Sequence, residues 1–310
     1  MLSTTGSSVK DRFSKTATAI RAEWYWLLKR RAFKIGSLLS VLIGLAVPLA
    51  RWASTSSNVG LAIEQAEKDA VKAAESGLEI PLEALYQEPR YPLAVQLPID
   101  VGAVTLAIGV VFLITAALSV GAEWRVGTNR LAFASPKHRG SAMGTRVLTW
   151  WLGTTAVGLA SIALTIIGLV LVGFNRGLAE GLTSTMIVGL LIRGTLVIGG
   201  LVTLGAGLAT VFRSDVVVVS LALVYVITAE IILVGLLAVS GYRSPGNHAL
   251  LFVGANDPLV TIDHSCGPAP RCDPAYLPVW GSPIIYLVTV FSMIALVVVA
   301  VWATRRPIWK

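Results

Sequence analysis

Long uncharged, mostly apolar runs alternate with short polar segments along the chain. A helix that crosses a membrane needs about 17–25 mostly apolar residues. The runs that meet this requirement are residues 35–53, 99–121, 147–173, 184–211, 216–240 and 283–303. Because the bilayer core holds no water to bond backbone groups, each run is predicted to be a helix. The pattern therefore predicts an all-α fold, a polytopic membrane protein with six transmembrane helices in a single domain.

The fourth and fifth runs are separated by only a few polar residues around Arg213 and Asp215, which predicts a tight turn between two antiparallel helices. Each of these runs also contains one ionisable residue, Arg193 in the fourth and Glu230 in the fifth. A charge at the bilayer centre costs about 2.5–3.5 kcal/mol. The two side chains therefore indicate a structural pair or a functional proton or substrate contact, and Arg193 could instead reach the outer headgroups.

Residues 8–34 precede the first run and repeat apolar positions at helical spacing. These positions are Val9, Phe13, Ala17, Ile20, Trp24, Leu27 and Leu28. Basic residues fall on the other faces, so the segment is predicted to be an amphipathic helix along the membrane surface, with its cations near anionic lipid headgroups. The alternative is a frayed basic tail.

Composition narrows the class of protein. The 310 residues are 55% hydrophobic and 14% charged, whereas a soluble domain is about 25% charged. Soluble cores stop growing at about 250–300 residues, so a single globular core could not hide this much apolar surface. A water-soluble monomer is therefore excluded, and 2 cysteines are too few for a disulfide-rich scaffold.

The formal charge of +8 indicates how the chain is oriented in the membrane, once Lys and Arg are assigned to the two sides of the predicted spans. Of 25 such residues, 17 fall on the side of the N-terminus, 7 on the opposite side and Arg193 within a span. Cytoplasmic loops carry the excess of Lys and Arg in membrane proteins. We therefore expect a multi-pass protein of the plasma membrane with both termini in the cytoplasm and external loops at 54–98 and 241–282. The charge requires no nucleic acid partner.

The first external loop, 54–98, is acidic. Its residues 61–76 predict a short helix that ends at Gly77, after which Pro81, Pro89, Pro92 and Pro98 are predicted to break the chain before the second span. The acidic residues are Glu64, Glu67, Asp69, Glu75, Glu79, Glu83, Glu88 and Asp100. We interpret the loop as a solvated cap or as a docking surface for another protein.

The second external loop holds both cysteines, Cys266 and Cys272, in the segment HSCGPAPRC. Thiols on the external side can oxidise, and two prolines bend the intervening residues, so a small disulfide loop is one prediction. A metal site that adds Asp263 and His264 has suitable ligand types, but the cysteine spacing matches no common zinc pattern. Free thiols are the third possibility.

No catalytic motif is present in the sequence. The patterns GxxxxGK[ST], HExxH and GxSxG do not occur, and the three histidines (His138, His248 and His264) are scattered over loops on both sides of the membrane. We therefore expect that the chain is not itself an enzyme and binds no cofactor or metal.

The loop after the second predicted span, residues 122–146, is basic and partly apolar. It begins with a helical segment that contains Trp124, turns at Gly127 and is broken at Pro136 before another helix leads into the third span. A rigid loop of this kind suits the transmission of force from a soluble partner. The simpler alternative is an ordinary cytoplasmic loop, which is basic only because cytoplasmic loops of membrane proteins carry an excess of Lys and Arg.

This loop resembles the segment between the second and third spans of type-2 ABC transporter permeases. The matching positions are Glu123, Trp124, Arg125, Gly127, Thr128, Pro136, Lys137 and Arg139. In that family the segment carries the helix that couples to the ATPase subunit. The family often has a lysine near the start of its third span, and the nearest basic residue here is Arg146.

Two further segments are similar to the same family. The segment AEWYWLLKRR at 22–31 resembles its N-terminal elbow helix, which packs near the ATPase, and contributes Glu23, Trp24, Arg30 and Arg31. Residues 193–237 resemble its fourth and fifth spans, including an acidic residue at the position of Glu230.

The resemblance implies the membrane-spanning subunit of an ABC exporter. Separate cytoplasmic ATPase subunits would bind ATP and Mg²⁺ and would contact the elbow helix and the 122–146 loop. A second permease copy or a paralogue would complete the translocation path across the membrane. Two other functions stay open on the residues alone. One is a proton-coupled secondary transporter that uses Glu230 and Arg193, and the other is a membrane scaffold or immunity protein that binds through loop 54–98.

Overall fold

The structure, a computed structural model, describes residues 21–77, 81–86, 89–127, 139–178, 182–228 and Val253. Its helices are α1 (21–29), α2 (Arg31–Ser54), α3 (Val59–Glu75), α4 (Leu82–Leu85), α5 (Leu93–Val126), α6 (Arg139–Arg176), α7 (Ser184–Phe212) and α8 (Asp215–Tyr225). Two short strands, β1 (Tyr91–Pro92) and β2 (Gly177–Leu178), pair in parallel. The fold within these ranges is otherwise all-helical.

Four of the described helices, α2, α5, α6 and α7, are long and apolar enough to cross a membrane. The chain is therefore a multi-pass membrane protein, and the predicted spans 35–53, 99–121, 147–173 and 184–211 each lie within one of these helices. Helix α8 covers the start of the predicted span 216–240 and continues as a wider π-type turn over 226–228. The rest of that span, and the span predicted at 283–303, lie outside the described residues.

The predicted break of the chain at Pro98 is wrong. Helix α5 begins at Leu93, directly after Pro92, and Pro98 lies inside it. A proline in a helix removes the hydrogen bond to the carbonyl four residues earlier. Because Pro98 lies near the start of a 34-residue helix, the bond it removes is one of the first in the helix, and the helix passes through it.

The acidic helix predicted at 61–76 is confirmed as α3, with slightly different bounds. The side chain of Asn58 accepts a hydrogen bond of 3.1 Å from the backbone of Gly60 and so caps its N-terminus. Gly77 follows its C-terminus with φ at 78°, a left-handed conformation that glycine adopts without strain.

Helix α5 is the most buried of the four long helices. It contacts α2, α6, α7 and α8. One stripe of its side chains is almost completely buried and lies at helical spacing; it consists of Leu97, Val101, Val104, Ile108 and Phe112. The bundle is therefore organised around α5, and a displacement of this helix would reach every other long helix.

Glycines bring the long helices into close contact. A Cβ atom at Gly205 of α7 would overlap the carbonyl oxygen of Leu113 in α5. At the crossing of α2 and α6, the hydroxyl of Thr165 donates a hydrogen bond of 3.0 Å to the carbonyl oxygen of Gly44. Small residues and hydroxyl groups of this kind are typical of helix packing in membranes, where the hydrophobic effect does not hold helices together.

The helices meet at two polar ends. We call the end that contains the start of α2, the end of α5, the start of α6 and the turn from α7 to α8 the Glu123 end. The opposite end, which contains the last turn of α2, the start of α5 and the end of α6, is the Asp100 end. The predicted turn around Arg213 is confirmed, since α7 ends at Phe212 and α8 begins at Asp215.

Candidate functional site at the Glu123 end

Four charged side chains form one connected network at the Glu123 end. The carboxylate of Glu123 in the last turn of α5 accepts hydrogen bonds from Arg30 Nη2 and, at 2.6 Å, from Arg146 Nη1. Arg146 Nε lies 3.4 Å from a carboxylate oxygen of Glu23. We call Glu23, Arg30, Glu123 and Arg146 the Glu123 network. It joins α1, the junction between α1 and α2 at Arg30, α5 and α6, and its charges alternate in sign.

The local structure around Arg30 explains why α1 reaches this network. Arg30 is extended, with φ at −70° and ψ at 127°, and separates α1 from α2. Buried apolar residues fix the chain on either side of it. Leu27 lies over Gly153 of α6, and Phe33 packs edge-to-face on Trp150 with ring centroids 5.9 Å apart. These contacts hold the first turn of α2 and the last turn of α1 against the bundle.

The Glu123 network is partly shielded from water. The side chain of Glu123 is 13% exposed, that of Arg146 is 21% exposed and that of Arg30 is 24% exposed. Removing one partner from such a buried pair leaves an uncompensated charge, which costs about 3–5 kcal/mol in fully buried cases. Glu123 therefore contributes more to this end of the bundle than an exposed ion pair would, because exposed pairs contribute about 0–1 kcal/mol.

A second set of polar contacts joins the end of α5 to the turn before α8. Arg125 forms an ion pair with Asp215, and the guanidinium of Arg213 lies 5.2 Å from the ring centroid of Trp124. Gly121 allows this approach, because a Cβ atom there would overlap the backbone of Asp215. The end of α5 is thus bound to α1, α6 and α8 at once.

Helix α5 ends where the sequence predicts a turn. Gly127 has φ at 82°, a left-handed conformation that favours glycine, and its backbone N–H bonds the carbonyl of Trp124 at 3.2 Å. Glu123, Trp124 and Arg125 therefore lie in the last helical turn before the chain leaves α5.

The structure brings together most of the predicted coupling and elbow residues that it describes. Glu123, Glu23 and Arg30 share the network, and Trp124 and Arg125 lie directly beside it. Trp24 is half-buried in α1, and Arg31 is exposed at the start of α2. Arg139 is the first residue of α6. Thr128, Pro136 and Lys137 lie outside the described residues.

Three residues of this end were not predicted as site residues. Asp215 and Arg213 were read only as turn residues, and Arg146 only as the nearest basic residue to a family position. A signal for Asp215 exists in the sequence, because an acidic residue in the first turn of a helix is stabilised by the positive end of the helix dipole.

The Asp100 end has its own cluster. The carboxylate of Asp100 accepts two hydrogen bonds from Arg51, at 2.9 Å from Nε and 2.7 Å from Nη2. It also accepts one of 3.0 Å from the hydroxyl of Tyr91 and one of 3.3 Å from Gln96. The guanidinium of Arg176 lies 4.0 Å from the ring centroid of Trp52. These contacts fasten the ends of α2, α5 and α6, and the sequence alone did not predict them.

Tyr91 is expected to stay neutral at high pH. Burial raises the pKa of its hydroxyl, and the nearby Asp100 carboxylate raises it further. In the unfolded chain Tyr91 ionises near pH ~10. The folded state holds this proton while the unfolded state releases it, so stability is unaffected below about pH 10 and falls as the pH rises above it. We expect Tyr91→Phe to leave the tyrosinate absorbance between about pH 9 and 11 unchanged and to lessen the alkaline loss of stability.

The check is a titration, followed by tyrosinate absorbance, of the natural chain and the variant in the same detergent, calibrated with free tyrosine. A variant that lacks the signal of one ionising tyrosine in this range would show that Tyr91 titrates normally.

The intramembrane arginine is only partly explained by the described residues. Arg193 is half-buried in α7, and its Nη1 atom is buried with no hydrogen-bond partner within the described part of the chain. Glu230, Cys266 and Cys272 lie outside the described residues, as do Asp263 and His264. The Arg193–Glu230 pair and the disulfide loop therefore stay predictions.

No protein-family model matches the chain, and no curated protein sequence matches it.

Proposed function

We propose that the chain is the membrane-spanning permease subunit of an ABC exporter in the plasma membrane. In this proposal six spans place both termini in the cytoplasm, and the Glu123 end faces the cytoplasm. Two copies, or one copy and a paralogue, line the path, and separate ATPase subunits bind at the 122–146 loop beside α1. The chain itself binds no nucleotide.

One observation carries the proposal. Glu123 opens the motif that resembles the coupling segment of type-2 ABC permeases, and its carboxylate binds Arg30 of the segment that resembles their elbow helix. Glu123 and Arg30 are 93 positions apart in the sequence, and their segments resemble two different parts of these permeases. Their direct contact is what a shared docking site for one soluble partner requires.

The same contacts offer a route for force. The 122–146 loop runs from the end of α5 to the start of α6, and Glu123 and Arg146 tie these two flanks together. Helix α5 is continuous over 34 residues, or about 50 Å at 1.5 Å per residue. A push on the loop would therefore be passed along α5 as a rigid element, and the Arg51–Asp100 contact at its far end would have to rearrange.

The proposal is tested by purifying the tagged chain from its native membrane in mild detergent. We expect an ATPase subunit with a phosphate-binding loop to co-purify, and ATP hydrolysis by the complex to depend on the chain. Arg139→Glu should abolish ATP-driven transport while membrane insertion is retained. The control is Lys72→Glu on exposed α3, which should leave transport unchanged.

Reproducible absence of an ATPase partner, or full transport by the Arg139→Glu variant, would overturn this assignment.

A proton-coupled transporter that uses Glu230 and Arg193 is the second candidate. Glu230 would carry the proton and Arg193 would be its charge partner, since the Nη1 atom of Arg193 is buried without a partner among the described residues. It requires transport by the chain alone in vesicles with an imposed pH gradient. Transport under this condition, abolished by Arg193→Gln, would favour it over the exporter.

A further inference from the structure

Helix α1 has two chemically different sides. One side is bound to the bundle: Leu27 is 2% exposed, and Glu23 belongs to the Glu123 network. The other side is open, with Tyr25 at 59%, Trp26 at 64% and Leu28 at 46% exposure. Exposing two aromatic rings and a leucine side by side to water costs free energy, so we expect this side of α1 to contact a partner.

The charges around this open side have one sign. Arg21, Lys29, Arg31 and Lys34 are all exposed. The single acidic residue between positions 21 and 34 is Glu23, and the network already neutralises it. Lys29 lies 4.2 Å above the ring of Tyr25, so cation and aromatic ring are presented together. The partner that complements this surface carries negative charge beside apolar groups.

The position of α1 along the bundle decides what kind of partner this is. Exposed cations end at Lys34, and the next exposed side chains, from Ile35 to Leu49 in α2, are apolar. No charged residue occurs between Lys34 and Arg51. The boundary between headgroups and hydrocarbon therefore falls within one turn of the end of α1, at the level where tyrosine and tryptophan side chains concentrate in membrane proteins.

We propose that the open side of α1, formed by Tyr25, Trp26, Leu28 and Lys29, together with Arg31 at the start of α2, is a binding surface for anionic membrane lipid. The apolar groups enter the headgroup boundary, and the cations bind lipid phosphates. The opposite side of α1 is held by the Glu123 network through Glu23, which keeps α1 at the level of the lipid headgroups. The inference concerns the lipid-facing side of α1 and holds whether or not an ATPase subunit is the soluble partner.

Selectivity for anionic lipid follows from the cations. Each lysine or arginine near an anionic surface strengthens its binding by a factor of about five. Lys29 and Arg31 together are then expected to enrich anionic lipid at α1 by up to about 25-fold over neutral lipid.

The test measures which lipid touches Trp26. The full chain is placed in nanodiscs of phosphatidylcholine and phosphatidylglycerol at one fixed ratio, with brominated acyl chains on either the neutral or the anionic lipid. Bromine quenches a nearby tryptophan, and the contribution of Trp26 is the difference between the natural chain and Trp26→Phe. The substitution keeps an aromatic ring at an exposed position, and equal elution on size exclusion confirms that it folds.

We expect bromine on the anionic lipid to quench Trp26 at least about twofold more per mole than bromine on the neutral lipid. Lys29→Gln with Arg31→Gln should remove this difference. Lys68→Gln with Lys72→Gln on α3 is the matched control and should preserve it, because these lysines lie on a different exposed helix.

Two outcomes would overturn the inference. Equal quenching by both lipids in the natural chain would mean that the surface does not select anionic lipid. No quenching of Trp26 by either lipid would mean that this side of α1 does not contact the membrane. Neither outcome bears on whether an ATPase co-purifies, so the exporter proposal is tested separately.

Discussion

Glu123→Lys is expected to release α1 from the bundle while the chain still inserts into the membrane. The substitution removes the acceptor of both Arg30 and Arg146 and places a third cation between them. For a carboxylate that is only 13% exposed, we expect a loss of about 3 kcal/mol in the docking of α1. The apolar spans are unchanged, so membrane insertion should continue as before.

The measurement is amide hydrogen exchange of residues 21–30 in nanodiscs, read by mass spectrometry. A loss of about 3 kcal/mol corresponds to opening that is more frequent by about two orders of magnitude, so these amides should exchange about a hundredfold faster. Glu123→Gln should give a smaller effect, because it removes the charge without adding a cation.

Glu67→Lys provides the control for a reversal of charge. Glu67 is exposed on α3, away from the network, and its reversal should leave the exchange of residues 21–30 unchanged. Unchanged exchange in Glu123→Lys would mean that Leu27 and Phe33 hold α1 without help from the ions. If the exporter proposal is correct, Glu123→Lys also loses ATP-driven transport while the ATPase subunit still hydrolyses ATP.

The long helices could be predicted from the sequence because a single property determines them. A run of apolar residues such as 184–211 has no other stable conformation in a bilayer, and the structure places α7 over it almost residue for residue. The predicted break at Pro98 was wrong because proline was treated as a stop signal. Near the start of a helix, proline removes only one hydrogen bond, and the apolar run that follows outweighs that loss.

The pairing of charges could not be predicted in the same way. Glu123 lies 93 positions from Arg30 and 23 from Arg146, and 25 basic residues were available as partners. The resemblance named Glu123 and Arg30 as members of one functional region without giving their contact. Which cation reaches Glu123 depends on how α1 and α6 pack, and packing is not visible in a hydrophobic pattern.

The Asp100 cluster was missed for a different reason. Asp100 was counted with the acidic residues of the loop before it, although it lies at the start of an apolar run. A carboxylate in that position needs a partner, because burying it alone is costly. Arg51 ends the preceding span in the sequence, and adjacent spans place the end of one beside the start of the next. The two residues could have been paired on that argument.

Gly205→Ala is expected to disrupt the packing of α7 on α5, whereas Gly207→Ala should not. A Cβ atom at Gly205 would overlap the carbonyl oxygen of Leu113, and backbone at a helix crossing yields only if a whole helix moves. Overpacking usually costs about 1–3 kcal/mol, and more when backbone must shift, so we expect the free energy of unfolding to fall by about 3 kcal/mol and the unfolding temperature in detergent to be clearly lower.

A Cβ atom at Gly207 meets nothing within 4 Å. Alanine there should be neutral or slightly stabilising, since it favours helix over glycine by up to about 1 kcal/mol. Because the two glycines are two positions apart on one helix, an equal shift in both variants would show that the close approach of α5 and α7 is not what holds the bundle together.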